Sequence, residues 1–224
     1  NKKITETAQE RIDSLKKEAQ IDYSKFGQWE FQLGSLGSGN HFIEITEDEE
    51  GSLWAFLHSG SRGVGNKIAM QHIGIAQALM KKWFIELADR DLAYLAEGIQ
   101  EFDDYIRDLR WAQNFALANR EEMMDRVLTE LSYAVFKENN HQRELELERI
   151  QCHHNFTQKE NHMGRNLWIS RKGAIEVKEG QMGLIPGSMG TASYVVKGLG
   201  NVASFNTAPH GAGRNFSRTE ARKR

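Results

Sequence analysis

Gly37-Ser38-Gly39-Asn40-His41-Phe42-Ile43-Glu44-Ile45, followed by Leu53-Trp54-Ala55-Phe56-Leu57-His58-Ser59-Gly60-Ser61-Arg62-Gly63, decides the fold class. His41 to Ile45 alternates in polarity, as a strand with one solvated face does. Leu53 to His58 is nearly all apolar, as in a strand covered on both faces. Glu47 to Gly51 is the turn between them, so the pair predicts a β-hairpin with glycine-rich loops at its open end. Upstream, Ile4, Ala8, Ile12, Leu15 and Ala19 recur at the step of one helix face. Downstream, residues 66–161 read as helical: no glycine or proline lies between Gly98 and Gly164. Phe102, Tyr105, Ile106, Leu109, Ala112, Ala116, Met123, Val127, Leu131 and Val135 trace its apolar seam, and Asp103 and Asp104 suit a helix N-terminus. Strands resume at Leu167-Trp168-Ile169-Ser170 and Tyr194-Val195-Val196, where Pro186 and Pro209 set rigid turns. Hairpin, helices and later strands together predict an α+β chain.

Composition narrows the class. The 224 residues allow one large domain or two small ones, and 39% hydrophobic with 27% charged residues is globular composition. No apolar run is long enough to span a membrane, and no basic-then-apolar leader opens the sequence, so neither a membrane partner nor secretion is expected. The single cysteine, Cys152, cannot form an internal disulfide and fits a reducing compartment, the cytoplasm. A net charge of −2 means that any nucleic-acid binding must come from a local patch. The chain opens on Asn1 and closes in the charged run 218–224, which reads as a trimmed protein or a piece of a longer one.

Three residue sets carry chemistry. His41, His58 and His154 each stand beside glycine or an amide residue. Imidazoles from separate segments can converge on Mn, Fe, Zn, Ni or Cu, whereas any one alone is more often a satisfied core histidine than a ligand. The spacing is no zinc-finger pattern, and Cys152 beside His153 is a weak thiolate signal. Glycine-rich loops at 34–40, 187–191 and 211–214 let backbone N–H groups approach an anion, with Ser188, Arg62 and Arg214 as further donors. None is a Walker or dinucleotide loop, and each alone is more often a structural turn. His210, in Pro209-His210-Gly211-Ala212-Gly213-Arg214, is either a turn histidine or a nucleophile able to hold a phosphoryl or nucleotidyl group.

Asn40-His41-Phe42-Ile43-Glu44, His58-Ser59-Gly60-Ser61-Arg62-Gly63, His154-Asn155, Arg171-Lys172-Gly173-Ala174, Ile185-Pro186-Gly187-Ser188-Met189-Gly190-Thr191 and His210-Gly211-Ala212-Gly213-Arg214 occur in the order found in the RtcB RNA ligases, and the chain resembles the bacterial branch of that family. The resemblance covers nearly all of residues 1–224. It implies a mixed-sheet α+β core with a helical insertion, here as an incomplete domain. Its parts would be a helical lead (1–27), a metal- and nucleotide-binding β segment (28–65), a helical subdomain (66–161) and a segment with the nucleotide site and guanylylated histidine (162–224). The implied reaction joins RNA bearing a 2′,3′-cyclic phosphate or 3′-phosphate to RNA bearing a 5′-hydroxyl, using GTP and Mn²⁺. His210 would carry GMP. His41, His58 and His154 would be the metal ligands. Asn40, His41, Phe42, Ile43 and Glu44 would line the nucleotide site, with His154 and Asn155, then Pro186, Gly187, Ser188, Met189 and Ser193, and the loop His210, Gly211, Ala212 and Gly213. Lys172 and Arg62 are implied more weakly, as phosphate or RNA contacts.

Three departures qualify the resemblance, one being that the family's chain continues past the histidine motif whereas this sequence stops at Arg224. The family's Asp-x-x-Cys pair, whose thiolate bridges two metals, has no counterpart before Asn40, and Cys152 belongs to another motif. Pro209 stands where a small polar residue is expected. The family holds two Mn²⁺ ions. Three neutral imidazoles without the bridging thiolate predict one ion, or weak binding, and poor ligation by this chain alone. Two other readings use the same residues: a metal-dependent phosphodiesterase or phosphatase acting on RNA ends, and a non-catalytic RNA-binding paralogue.

Overall fold

A computed structural model describes residues 4–18, 21–188, 190–211, 216 and 218–223. They form two compact units, Asn1–Leu147 and Glu148–Arg224. The α+β class is borne out.

The first unit is helical around one hairpin. Helix α1 (Glu6–Glu18) buries Ala8, Ile12 and Leu15, as their spacing predicts; Ile4 packs beside them, and Ala19 lies outside the described residues. Two 3₁₀ turns then bring Phe26, Trp29 and Leu33 into the same core. The hairpin follows as β1 (Phe42–Glu47) and β2 (Leu53–His58), antiparallel, with Phe42 opposite His58 and Glu47 opposite Leu53. Asp48 closes its turn: Oδ1 accepts from the N–H groups of Glu50 and Ser52, and Oδ2 accepts from Trp54 Nε1 at 2.8 Å. The apolar β2 is not covered on both faces. Only Phe56 is buried and Leu53 is 74% exposed, so its composition overstates its burial.

Helices α2 (Arg62–Lys82) and α3 (Gln100–Phe136) complete this unit, with a short α4 (Gln142–Leu145). Trp111 and Phe115 of α3 meet Trp29 edge-on at 5.3 and 5.8 Å, and Trp111 Nε1 donates to the Leu15 carbonyl at 3.0 Å. That bond ties α1 to α3. Ile106, Ala112, Ala116 and Met123 of the predicted seam are buried. Towards the C-terminus the buried line shifts to Leu128 and Ser132, leaving Val135 62% exposed. Helix α3 also buries Asp108, Asn119 and Glu122, which an apolar pattern does not pick up. Glu122 accepts from Thr5, Thr7, Arg11 and Arg126, at 2.5–2.9 Å. Burial pushes its carboxyl up, but these hydrogen bonds outweigh it and hold the group below the usual carboxylate range.

The second unit is built of short strands. β3 (Asn155–His162) and β4 (Arg165–Lys172) form a hairpin across Met163-Gly164, both with positive φ. The end of the stretch read as helix is therefore strand. Lack of glycine and proline permits a helix but does not specify one, and Phe156 and His162 are buried with the even-step spacing of a sheet face. β5 (Ala174–Glu176) pairs with β8 (Thr207–Pro209), and β6 (Met182–Ile185) with β7 (Tyr194–Lys197). Among the described residues every sheet is an antiparallel pair, in place of a single mixed sheet. A short α5 (Arg218–Lys223) ends the unit. No described helix is long and apolar enough to cross a membrane.

Candidate functional site

In the first unit, the hairpin's open end brings His41 and His58 together, with ring centroids 5.8 Å apart. Phe42 lies nearly parallel to His58, at 5.7 Å and 7°. Phe42 and Glu44 share one face of β1, while Ile43, 41% exposed, takes the other, because side chains alternate along a strand. Asn40 is exposed at the bend before β1.

His41 Nδ1 is 2.8 Å from the Leu36 carbonyl. A carbonyl only accepts, so Nδ1 carries the proton and Nε2 keeps its lone pair for a metal. The Leu36 oxygen also accepts from Ser59 Oγ at 3.1 Å and Arg62 Nη1 at 3.3 Å. Arg62 has positive φ at the start of α2, and its Nε donates to Ser35 Oγ. Its guanidinium occupies the space that a Cβ at Gly37 would need, and the φ of +91° at Gly37 favours glycine there. Arg62 thus shapes the His41 loop, and burial lowers its pKa from the usual guanidinium range.

In the second unit, His154 and His210 stack with centroids 4.9 Å apart and planes within 5°. Gly173 links them. Its N–H donates to the His154 carbonyl at 2.8 Å and to Asn155 Oδ1 at 3.0 Å, and its carbonyl accepts from the His210 N–H at 3.3 Å. Its φ is +70°, and a Cβ there would stand 3.4 Å from the His210 ring. Pro209 pairs opposite Ala174 at the end of β8, and the bond from the His210 N–H is retained. Gly211 lies against Pro186: a Cβ on it would be 3.3 Å from the Pro186 carbonyl oxygen.

The loop after Pro186 spends part of its donor capacity on itself. Gly187 N–H donates to Ser193 Oγ at 3.1 Å, and Ser188 N–H to Thr191 Oγ1 at 2.7 Å. The Ser188 and Thr191 hydroxyls remain at its surface, 3.0 Å apart. Met189, Ala212, Gly213 and Arg214 lie outside the described residues.

Behind β8, Arg171 is 3% exposed. It forms a two-pronged pair with Glu160 and donates to Thr207 Oγ1 at 2.9 Å and the Phe205 carbonyl at 2.8 Å. Burial alone would raise the Glu160 carboxyl. Hydrogen bonds from Arg171, Gln158 and His162 prevail and hold it at about 2. This cluster fixes the strand that leads into His210.

The sequence reading missed Asn119, Ser59, Gly173 and the Glu160–Arg171 pair as supports. Asn119 carried one signal: it falls one turn beyond Phe115 on the buried face of α3.

The donor chemistry suits a borderline divalent cation: imidazole nitrogens, with Nδ1 of His41 engaged by a backbone carbonyl. The family model for "tRNA-splicing ligase RtcB" matches residues 2–224. Over 85% of its length the chain is 50% identical to the RNA-splicing ligase RtcB of Escherichia coli strain K12, covering 47% of that protein. It is 35% identical to the tRNA-splicing ligase RtcB of Pyrobaculum aerophilum, covering 46%, and 35% identical to the RNA-splicing ligase RtcB of Mycobacterium tuberculosis, covering 50%. The chain therefore spans about half the length of these relatives. With six motifs in order and a match across almost every residue, the chain belongs to the RtcB family.

Proposed function

We propose that this chain supplies the metal-binding imidazoles and the guanylylated histidine of an RNA ligase, which joins 2′,3′-cyclic phosphate or 3′-phosphate ends to 5′-hydroxyl ends. The observation that carries the reading is the His154–His210 stack anchored on Gly173, in a chain of this family. His210, neutral, attacks the α-phosphorus of GTP. A P–N bond forms, the bond to the β-phosphate oxygen breaks and pyrophosphate leaves. The RNA 3′-phosphate oxygen then takes the guanylyl group and frees His210. Finally the 5′-hydroxyl attacks the activated 3′-phosphorus, its proton is lost to base and GMP departs. A 2′,3′-cyclic phosphate is first opened by water.

His41, His58 and His154 would hold Mn²⁺, and the Leu36 carbonyl keeps His41 in the tautomer that presents Nε2. When bound, Mn²⁺ offsets phosphate charge and aligns nucleophile with leaving group. By the family resemblance, the nucleotide site draws on Asn40, Phe42, Ile43 and Glu44, of which Phe42 and Glu44 share one face of β1. It also draws on Asn155, Pro186, Gly187, Ser188, Met189, Ser193 and the 210–213 loop. The sequence contains no Asp-x-x-Cys thiolate before Asn40, so metal binding and labelling by these residues alone are weak and rise when a segment with that pair is joined upstream.

The test is incubation with α-labelled GTP and MnCl₂, followed by peptide mapping. Acid-labile GMP should map to His210 and vanish in His210→Ala. Label that survives His210→Ala contradicts the reading, as does robust labelling of the unextended chain. Hydrolysis of RNA end phosphates without covalent GMP favours a phosphodiesterase instead.

A further inference from the structure

Asn119 lies in the middle of α3 with its side chain fully buried. An amide is a costly group to bury, and helix packing alone would be served by leucine or alanine. Its oxygen accepts from the Ser35 N–H at 3.2 Å. Its NH₂ group faces the Ser35 carbonyl at 3.3 Å, Ser59 Oγ at 3.2 Å, the Gly60 carbonyl at 3.4 Å and Met123 Sδ at 3.6 Å. One side chain thus bonds both the loop before His41 and the segment just after His58.

A relay runs on from it. Ser59, 1% exposed, accepts from Asn119 and spends its single proton on the Leu36 carbonyl. That same carbonyl accepts from His41 Nδ1. We propose that Asn119 is a positioning residue: through Ser35, Ser59 and the Leu36 carbonyl, it holds the His41 and His58 loops in metal-binding geometry and keeps His41 protonated on Nδ1. The metal part of this proposal rests on the reading above; the tautomer part stands on this unit's own hydrogen bonds. The role needs an acceptor and donors on one rigid plane. Aspartate has no donors, and leucine has neither.

The test uses the full chain and compares wild type with Asn119→Leu, Ser59→Ala and Leu128→Ala. The last is a core truncation nine residues further along the same helix, at a side chain that makes no hydrogen bond. Nitrogen-15 NMR of the histidine rings without metal should show His41 as the Nδ1–H tautomer in wild type and Leu128→Ala. It should show a shift towards Nε2–H in Asn119→Leu and a smaller one in Ser59→Ala. Titration with MnCl₂, followed by electron paramagnetic resonance, should give affinity about 10–100-fold weaker in Asn119→Leu, the range for losing a ligand's supporting partner. Ser59→Ala keeps the test valid if Asn119→Leu does not fold. An unchanged His41 tautomer in both variants overturns the proposal. So does a loss of Mn²⁺ affinity in Leu128→Ala equal to that in Asn119→Leu. If wild type binds no Mn²⁺, the metal reading fails, while the tautomer comparison still decides what Asn119 does.

Discussion

His41 and His58 stand where the hairpin meets loops whose shape depends on side chains: Asn119, Ser59 and Arg62 reach in from helices and a strand end to grip backbone carbonyls. His154 and His210 instead hang on main-chain bonds across Gly173, with Arg171 and Glu160 bracing the strand behind them. The first arrangement fails when a buried amide or hydroxyl is lost. The second fails when a Cβ is added or a buried charge is left alone.

The largest effect should come from the brace. Arg171→Ala leaves Glu160 without its main cationic partner and should destabilise the second unit by about 3–5 kcal/mol. Hydrogen exchange in β3 and β4 should rise far more than in α3; equal rises would erase the contrast between the units. Next comes acid. The Glu160 carboxyl is held at about 2 in the fold, below an ordinary 4.5. Its contribution is therefore full above about pH 4.5, is lost as pH falls towards 2, and amounts to about 3 kcal/mol. Acid titration of Glu160→Gln should be flatter over that window, and a curve parallel to wild type would count against the pair.

Gly173→Ala puts a Cβ on a left-handed residue, costing about 1–2 kcal/mol. It also crowds His210, so GMP labelling should fall further than stability does, as read by a labelling time course beside a urea melt. The smallest effect belongs to Trp111→Phe, which removes the bond to the Leu15 carbonyl but keeps most of the aromatic packing. About 1 kcal/mol should be lost in a melt of the first unit, with no change in His154 or His210 resonances.

The same contrast explains what could be read from the sequence. The β1–β2 hairpin and the buried face of α1 were legible because alternation, helical spacing and a short polar turn are local signals. The Trp29–Trp111–Phe115 cluster was not, because it joins segments far apart in the chain. Strand β3 was hidden inside a glycine-free run, whose pattern suits a helix equally well until Gly164 turns it back. Motif residues around His41, His58, His154 and His210 stood out by type. Asn119 did not, since its partners lie 84 and 60 positions away.

The most direct test of the account is pulsed electron paramagnetic resonance on Mn²⁺ bound to the protein. Bound Mn²⁺ should show echo modulation from directly coordinated imidazole nitrogen, reduced in turn by His41→Ala, His58→Ala and His154→Ala. Bound Mn²⁺ with no nitrogen modulation, or with modulation untouched by all three substitutions, would contradict it.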